Sequence, residues 1–249
     1  MPVAGAVCLV TGGSGTIGLA IAKALVASEA RKVFLTGRSL EKLQAAAQQI
    51  TPPNNNEVVH CVPCDVTDEK AVANLFETID KESNGSGLEL LVNNAGINAP
   101  GATVDMRAAD FRRVIDTNVL GPFLCSQQAM KRMKASKKGG RIINIGSLSS
   151  YRPRPDSAPY TTSKFALLGL TQSLALDGRA DNIAVSIIHP GNVVSELLSE
   201  ETKADRASEG FLPAEQIAAS VVHIAQLPYE SNILEMTIAP TPQPYVGRG

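Results

Sequence analysis

Short apolar runs alternate with amphipathic stretches along most of the chain. Val7 to Val10, Lys32 to Thr36, Val58 to Val62, Leu88 to Val92, Arg141 to Ile145 and Ile183 to Ile188 read as buried strands, with Ile233 to Ile238 completing about seven. Apolar positions recur at helical spacing in Ile17 to Ser28, in Glu41 to Ile50 after Ser39 as a cap, and in Asp68 to Lys81, Phe111 to Lys134 and Ala158 to Asp177. A strand followed by a helix, repeated, predicts an α/β fold: a doubly wound parallel sheet with helices on both faces. Ligands of such sheets collect beyond the carboxyl ends of the strands, where the strand order reverses.

A length of 249 residues with 44% hydrophobic residues suits one α/β core, so residues 1–249 are expected to form a single domain. Pro52-Pro53-Asn54-Asn55-Asn56 and Asn84-Gly85-Ser86-Gly87 read as surface turns within it. The net charge is −1 and the basic residues are dispersed, which argues against nucleic acid or an anionic membrane and leaves small molecules as partners. Val3 to Val10 lacks a basic leader and a cleavage pattern and reads as a strand. No apolar run reaches membrane-spanning length, so a soluble, cytoplasmic protein is expected. Cys8, Cys61, Cys64 and Cys125 are scattered, as reduced thiols are. His60-Cys61-Val62-Pro63-Cys64 brings three candidate metal ligands together, but no second cluster completes a closed site, so no metal is expected.

Chemistry enters with Thr11-Gly12-Gly13-Ser14-Gly15-Thr16-Ile17-Gly18, which ends the first strand and opens the first helix. Glycines there let the backbone approach a pyrophosphate, whose charge meets N–H groups at the helix start; this is the Rossmann-type dinucleotide turn. The second strand ends Thr36-Gly37-Arg38-Ser39, without the carboxylate that holds the ribose 2′-hydroxyl of NAD. A guanidinium at Arg38 suits a 2′-phosphate instead, favouring NADP(H) over NAD(H). Further on, Tyr160-Thr161-Thr162-Ser163-Lys164 puts a phenol and an ammonium one helical turn apart, where the cation favours the phenolate and tunes the phenol for proton transfer.

These motifs do not stand alone. Asn93-Asn94-Ala95-Gly96 follows the fourth strand, Asn118 lies in a helix, Ser147 follows the Arg141 to Ile145 strand, and Cys64-Asp65-Val66-Thr67 and His189-Pro190-Gly191 close two further strands. In this order, from about Ala4 to Gly191, the chain resembles the compact, single-domain branch of the short-chain dehydrogenase/reductase family. The resemblance implies that Tyr160 exchanges a proton with a carbonyl or alcohol oxygen, that Ser147 holds the same oxygen, and that Lys164 lowers the tyrosine pKa and binds the nicotinamide ribose. It implies that Asn118 holds a water linking Lys164 to solvent. Gly12, Ser14, Gly15, Thr16, Ile17, Gly18, Arg38, Ser39, Asp65, Val66, Asn94, Ala95, Gly96, Pro190, Gly191, Val193 and Ser195 would surround the cofactor with Tyr160 and Lys164. A homotetramer or homodimer is the common assembly of the family.

Two features depart from the family pattern. The turn runs Thr-Gly-x-x-Gly-x-x-Gly, the spacing of the extended branch, yet only 58 residues follow Gly191, too few for that branch's second domain. The chain therefore reads as compact with an atypical turn. Residues 239–249 form a proline-rich tail, expected to lie across a neighbouring subunit. Residues 192–212 have the position of a substrate lid, rich in Glu196, Glu200, Glu201, Asp205 and Glu209 against Lys203 and Arg206; charges there read first as a solvated face. Tyr151, Arg152 and Arg154 lie near the expected pocket mouth, where arginine could attract an acidic substrate. Three functions stay open: a carbonyl reductase or alcohol dehydrogenase, an epimerase or dehydratase that returns its hydride, and a non-catalytic NADP(H) sensor, against which the intact Asn118, Ser147, Tyr160 and Lys164 speak.

Overall fold

The computed structural model describes residues 3–50, 57–195, 200–228 and 230–245. Seven strands, β1 (Val7–Thr11), β2 (Lys32–Gly37), β3 (Val59–Pro63), β4 (Leu90–Asn93), β5 (Gly140–Ile145), β6 (Ile183–Pro190) and β7 (Glu235–Ile238), form one sheet in the order β3-β2-β1-β4-β5-β6-β7. Every pairing is parallel. The helices are α1 (Thr16–Ala27), α2 (Leu40–Gln48), α3 (Glu69–Glu82), α4 (Ala108–Ile115), α5 (Gly121–Ser136), α6 (Ala158–Gly178), α7 (Glu200–Asp205) and α8 (Ala214–Gln226). The expected turn Pro52 to Asn56 lies outside the described residues.

The period of a strand sends alternate side chains to opposite faces, and β1 shows what that builds. Cys8 and Val10 join a core with Ile21 and Leu25 of α1, Leu43 of α2 and Ile217 and Val221 of α8. Val7 and Leu9 join a second core with Phe76 of α3, Met133 of α5 and Leu174 of α6. Burial on both faces is why these strands are continuously apolar. The edge strand β7 is partly exposed and starts at Glu235, with Leu234 before it largely in solvent.

Two expectations about helices are corrected. The apolar pattern Phe111 to Lys134 is not one helix: α4 and α5 are separated by a π-helical turn, Asp116–Leu120, centred on Asn118. Pro122 lacks an N–H and cannot donate to the Asn118 carbonyl four residues back, so the regular ladder is broken there. Helix α8 was missing from the expected elements, yet its Ile217, Val221 and Ile224 are fully buried against the sheet.

The described part of the tail, to Tyr245, folds back on its own chain. The Gln243 side-chain carbonyl accepts from the Asn192 N–H at 2.9 Å, Gln243 N–H donates to the Pro240 carbonyl, and the Tyr245 ring lies 5.9 Å beneath the Arg152 guanidinium.

Candidate active site

The strand order reverses between β1 and β4, and both of their carboxyl ends carry polar groups that tie the two together. Thr11 Oγ1 accepts from the N–H groups of Asn94 and Ala95, each at 3.0 Å, while Asn94 Nδ2 donates to the carbonyls of Thr11 and Gly12. Gly12 has φ +64 and stands so close to Ala95 that a Cβ would meet the Ala95 Cα at 2.9 Å. A Cβ on Gly18 would sit 2.2 Å from the Gly12 carbonyl oxygen. Gly18 thus sets the approach of α1 to the turn and does not line the cleft. Gly15 begins α1 with extended backbone, and no side chain caps the helix or places acid in its first turn. A helix start of that kind is suited to an anion.

A cleft of about 830 Å³ opens at this end of the sheet, lined by the turn residues Gly12, Ser14, Gly15, Thr16 and Ile17 and by Asn94, Ala95 and Gly96. It continues past Ser147, Tyr160 and Lys164 to Pro190, Gly191, Val193 and Ser195. Arg38, Ser39, Asp65 and Val66 stand outside its lining. Arg38 is exposed after β2, and Ser39 Oγ accepts from the Lys42 N–H to cap α2. Asp65 accepts from the N–H and hydroxyl of Thr67 at 3.0 and 2.8 Å, shaping the β3–α3 turn, and Val66 is buried against Gly121. The turn, the helix start and the cleft fit a dinucleotide whose pyrophosphate would meet the α1 N-terminus.

The catalytic candidates are held from below by backbone groups. Asn118, buried, bonds both ways to Ile97, accepting from its N–H and donating to its carbonyl, each at 2.9 Å, and donates to Ser163 Oγ at 3.0 Å. Ser163 in turn donates to the Tyr160 carbonyl at 2.7 Å, one turn into α6. Lys164, at 6% exposure, donates to the Ile145 carbonyl at the end of β5 at 2.8 Å, and its ammonium lies 5.4 Å from the centre of the Tyr160 ring. Ser147 follows β5; its hydroxyl accepts from the Ser149 N–H, and its own N–H meets His189 Nδ1 at 3.3 Å. Asn118 does not line the cleft, but through Ser163 it fixes the turn that carries Tyr160.

Electrostatics differ from the simple expectation. Burial pushes the Tyr160 phenol up, and what opposes this is a hydrogen bond with Ser147 and the charge of Arg206. Lys164, expected to lower Tyr160, is itself pushed down to about 8 by burial. Burial also lowers His189, while its bond to the Ser147 backbone and the nearby Glu235 act the other way.

Several cleft residues gave no signal beforehand. Lys42 on α2 lines it, as do Asn192, Arg206 and Gln243. Arg206 was read as part of a solvated face, and a glutamine in a proline-rich tail has no periodicity to betray it. Asp205 lines the cleft, Glu200 and Glu201 lie with it on α7, and Glu209 pairs with Arg154 at 2.8 Å; Glu196 lies outside the described residues. His60 stacks on Phe34 at 5.0 Å, and among the described residues no group of three His, Cys, Asp or Glu side chains is arranged to hold a metal.

A family model described as short chain dehydrogenase matches residues 6–206, and the chain belongs to that family. It is 33% identical to a farnesol dehydrogenase of Aedes aegypti over 95% of this chain and 96% of the relative. It is 33% identical to carbonyl reductase family member 4 of Danio rerio over 89% and 91%. A solved short-chain type dehydrogenase/reductase from Mycobacterium marinum superposes with TM-score 0.86 at 28% identity, covering 96% of this chain and 95% of that one. The protein is therefore an oxidoreductase of the short-chain dehydrogenase/reductase family, a family that uses nicotinamide cofactors. No described helix is long and apolar enough to cross a membrane.

Proposed function

We propose that this protein is an NADP(H)-dependent carbonyl reductase or alcohol dehydrogenase in which Tyr160 exchanges the proton. The observation that carries the reading is the convergence of Ser147, Tyr160 and Lys164 on the same cleft as the glycine-rich turn. A bound reduced nicotinamide supplies the hydride to the carbonyl carbon. Tyr160, kept protonated by its burial, donates to the carbonyl oxygen. Ser147 hydrogen-bonds that oxygen as negative charge develops. Lys164 holds the cofactor ribose, and the Asn118 carbonyl, deprived of its α-helical donor by Pro122, holds the water that returns a proton from solvent. Gly12, Ser14, Gly15, Thr16 and Ile17 take the pyrophosphate, Asp65 and Val66 the adenine side, Asn94, Ala95 and Gly96 the length of the cofactor, and Pro190, Gly191, Val193 and Ser195 the nicotinamide.

Cofactor preference rests on Arg38 and Ser39 at the end of β2, with Lys42 as a second cation nearby. Arg38→Asp should weaken NADPH binding far more than NADH binding; equal losses would remove Arg38 from 2′-phosphate recognition. The activity itself is tested by NADPH and NADH oxidation across ketones, aldehydes and oxoacyl thioesters, where turnover with NADPH well above NADH is expected. Binding of NADPH without turnover would favour a sensor, and substrate conversion without net nicotinamide change would favour an epimerase or dehydratase.

Residues 1–249 would act as one domain, with 192–212 as lid and 239–249 as tail. Exposed Phe123 on α5 and Phe165 on α6 support a homodimer or homotetramer, testable by light scattering. The thiols of Cys8, Cys61, Cys64 and Cys125 are all free, which supports a cytoplasmic setting.

A further inference from the structure

Two arginines, Arg154 and Arg206, line the cleft and a third, Arg152, lies two residues from Arg154 in the chain; they are engaged to different degrees. Arg152 is exposed and lies over the Tyr245 ring. Arg154 is neutralised: it donates to Glu209 at 2.8 Å, and Asn192, which it also approaches at 3.5 Å, donates to the same carboxylate. Arg206, directly after α7, is partly buried, lines the cleft with Tyr160 and makes no ion pair among the described residues.

Half-burying a guanidinium without a carboxylate is unfavourable unless an anion completes it. The charges of Glu209 and Asp205 do act on Arg206, yet Glu209 is bound by Arg154. Asp205 and Asp156 also border the cleft, and both are exposed, where water screens them. Lys164 is turned to the Ile145 carbonyl. Lys42 also lines the cleft, but from α2, where it is assigned to the cofactor; Arg206 is thus the cation left beside Tyr160, near enough for its charge to act on the phenol.

We infer that the substrate is a carbonyl compound bearing a carboxylate or phosphate, which pairs with Arg206 while its carbonyl oxygen meets Tyr160 and Ser147. This rests on the carbonyl-reductase reading above. A planar donor fork suits either anion, and the pairing sets the distance from anion to carbonyl. The same cation could instead meet a cofactor phosphate, but the uncapped start of α1 lies at the turn, whereas Arg206 acts at Tyr160.

The test uses matched pairs followed by nicotinamide absorbance: 2-, 3- and 4-oxo acids against their methyl esters, and dihydroxyacetone phosphate against dihydroxyacetone. At least one anion should exceed its neutral partner in kcat/KM by on the order of 10- to 100-fold. Arg206→Met should abolish that preference through the KM of the anion, leaving the KM of the neutral partner and of NADPH unchanged; Arg206→Lys should restore part of it. Equal use of both partners by the wild type, or a rise in the NADPH KM instead, overturns the inference. Should no compound turn over, the reductase reading fails separately, and calorimetric titration of the same anions into the protein with NADP+ still decides Arg206. Binding lost in Arg206→Met upholds the anion site; binding absent in the wild type or unchanged in the variant overturns it.

Discussion

The floor of the cleft and the segment proposed as its lid are held by different kinds of contact. On the floor, Lys164 and Asn94 are fastened to the backbone of Ile145, Thr11 and Gly12, which belong to or directly follow sheet strands, and Asn118 to the backbone of Ile97 in the loop after β4. In the lid, the Arg154–Glu209–Asn192 cluster joins side chains of separate loops, and a tail glutamine braces it. Backbone anchors cannot be rearranged without opening the sheet, whereas side-chain clusters can exchange for water at small cost. The floor should therefore respond to substitution in chemistry, and the lid in affinity.

The sharpest separation comes from Tyr160→Phe. Ser163 bonds the Tyr160 carbonyl and Lys164 bonds Ile145, so removing the hydroxyl leaves the floor in place. Turnover should fall about 10²- to 10⁴-fold, as for loss of a general acid, with cofactor affinity nearly unchanged. Steady-state kinetics beside a cofactor titration check this, and equal turnover would remove Tyr160 from the chemistry.

Lys164 offers a signature in the pH dependence of stability. Burial lowers its pKa to about 8, so between that pH and its unfolded value the unfolded chain binds more protons than the native one. Native stability from this group accordingly rises with pH across that window and is flat below it. Relative to Lys164→Met, wild-type stability should climb by up to ~3 kcal/mol between about pH 8 and pH 10.5. Parallel urea titrations of the two proteins measure it, and a constant difference would mean that the ammonium is solvated.

How much could be read beforehand divides along the same line. Tyr160, Ser147 and the glycine turn are placed by strand ends and helix periodicity, local properties that a sequence carries. The inner strands were legible because burial on both faces makes them continuously apolar, and the edge strands β3 and β7 through short runs of apolar residues. The π turn at Asn118 was not, because the proline that breaks the ladder, Pro122, equally suits the first turn of a regular helix and does not by itself mark a π turn. Arg206 was hidden differently: a cation among carboxylates reads as a solvated face until its neighbour Arg154 is seen to have taken Glu209. The tail's contact with Asn192 was not legible either, because prolines signal an extended path without saying which surface receives it.

Gln243 probes where floor and lid meet. Its side chain accepts from the buried Asn192 N–H, and Gly191 beneath it is so close that a Cβ there would stand 2.2 Å from the amide oxygen. Gln243→Ala orphans that N–H and should cost about 1–3 kcal/mol in denaturant unfolding, with KM rising more than kcat falls. An unchanged KM would show that the tail does not brace the lid.

The smallest effect belongs to Glu209→Gln. The Arg154 pair is partly exposed, at 34% and 21% for the two side chains, so its loss should cost no more than ~1 kcal/mol. The variant is nonetheless informative because it releases Arg154. With Glu209 neutral, two guanidinium groups rather than one become available at the cleft mouth, and affinity for an anionic substrate should rise modestly while a neutral substrate is unaffected. If both substrates lose affinity together, the carboxylate's role is to hold the lid in shape, and the division between a chemical floor and an adaptable lid would need to be redrawn at Asn192.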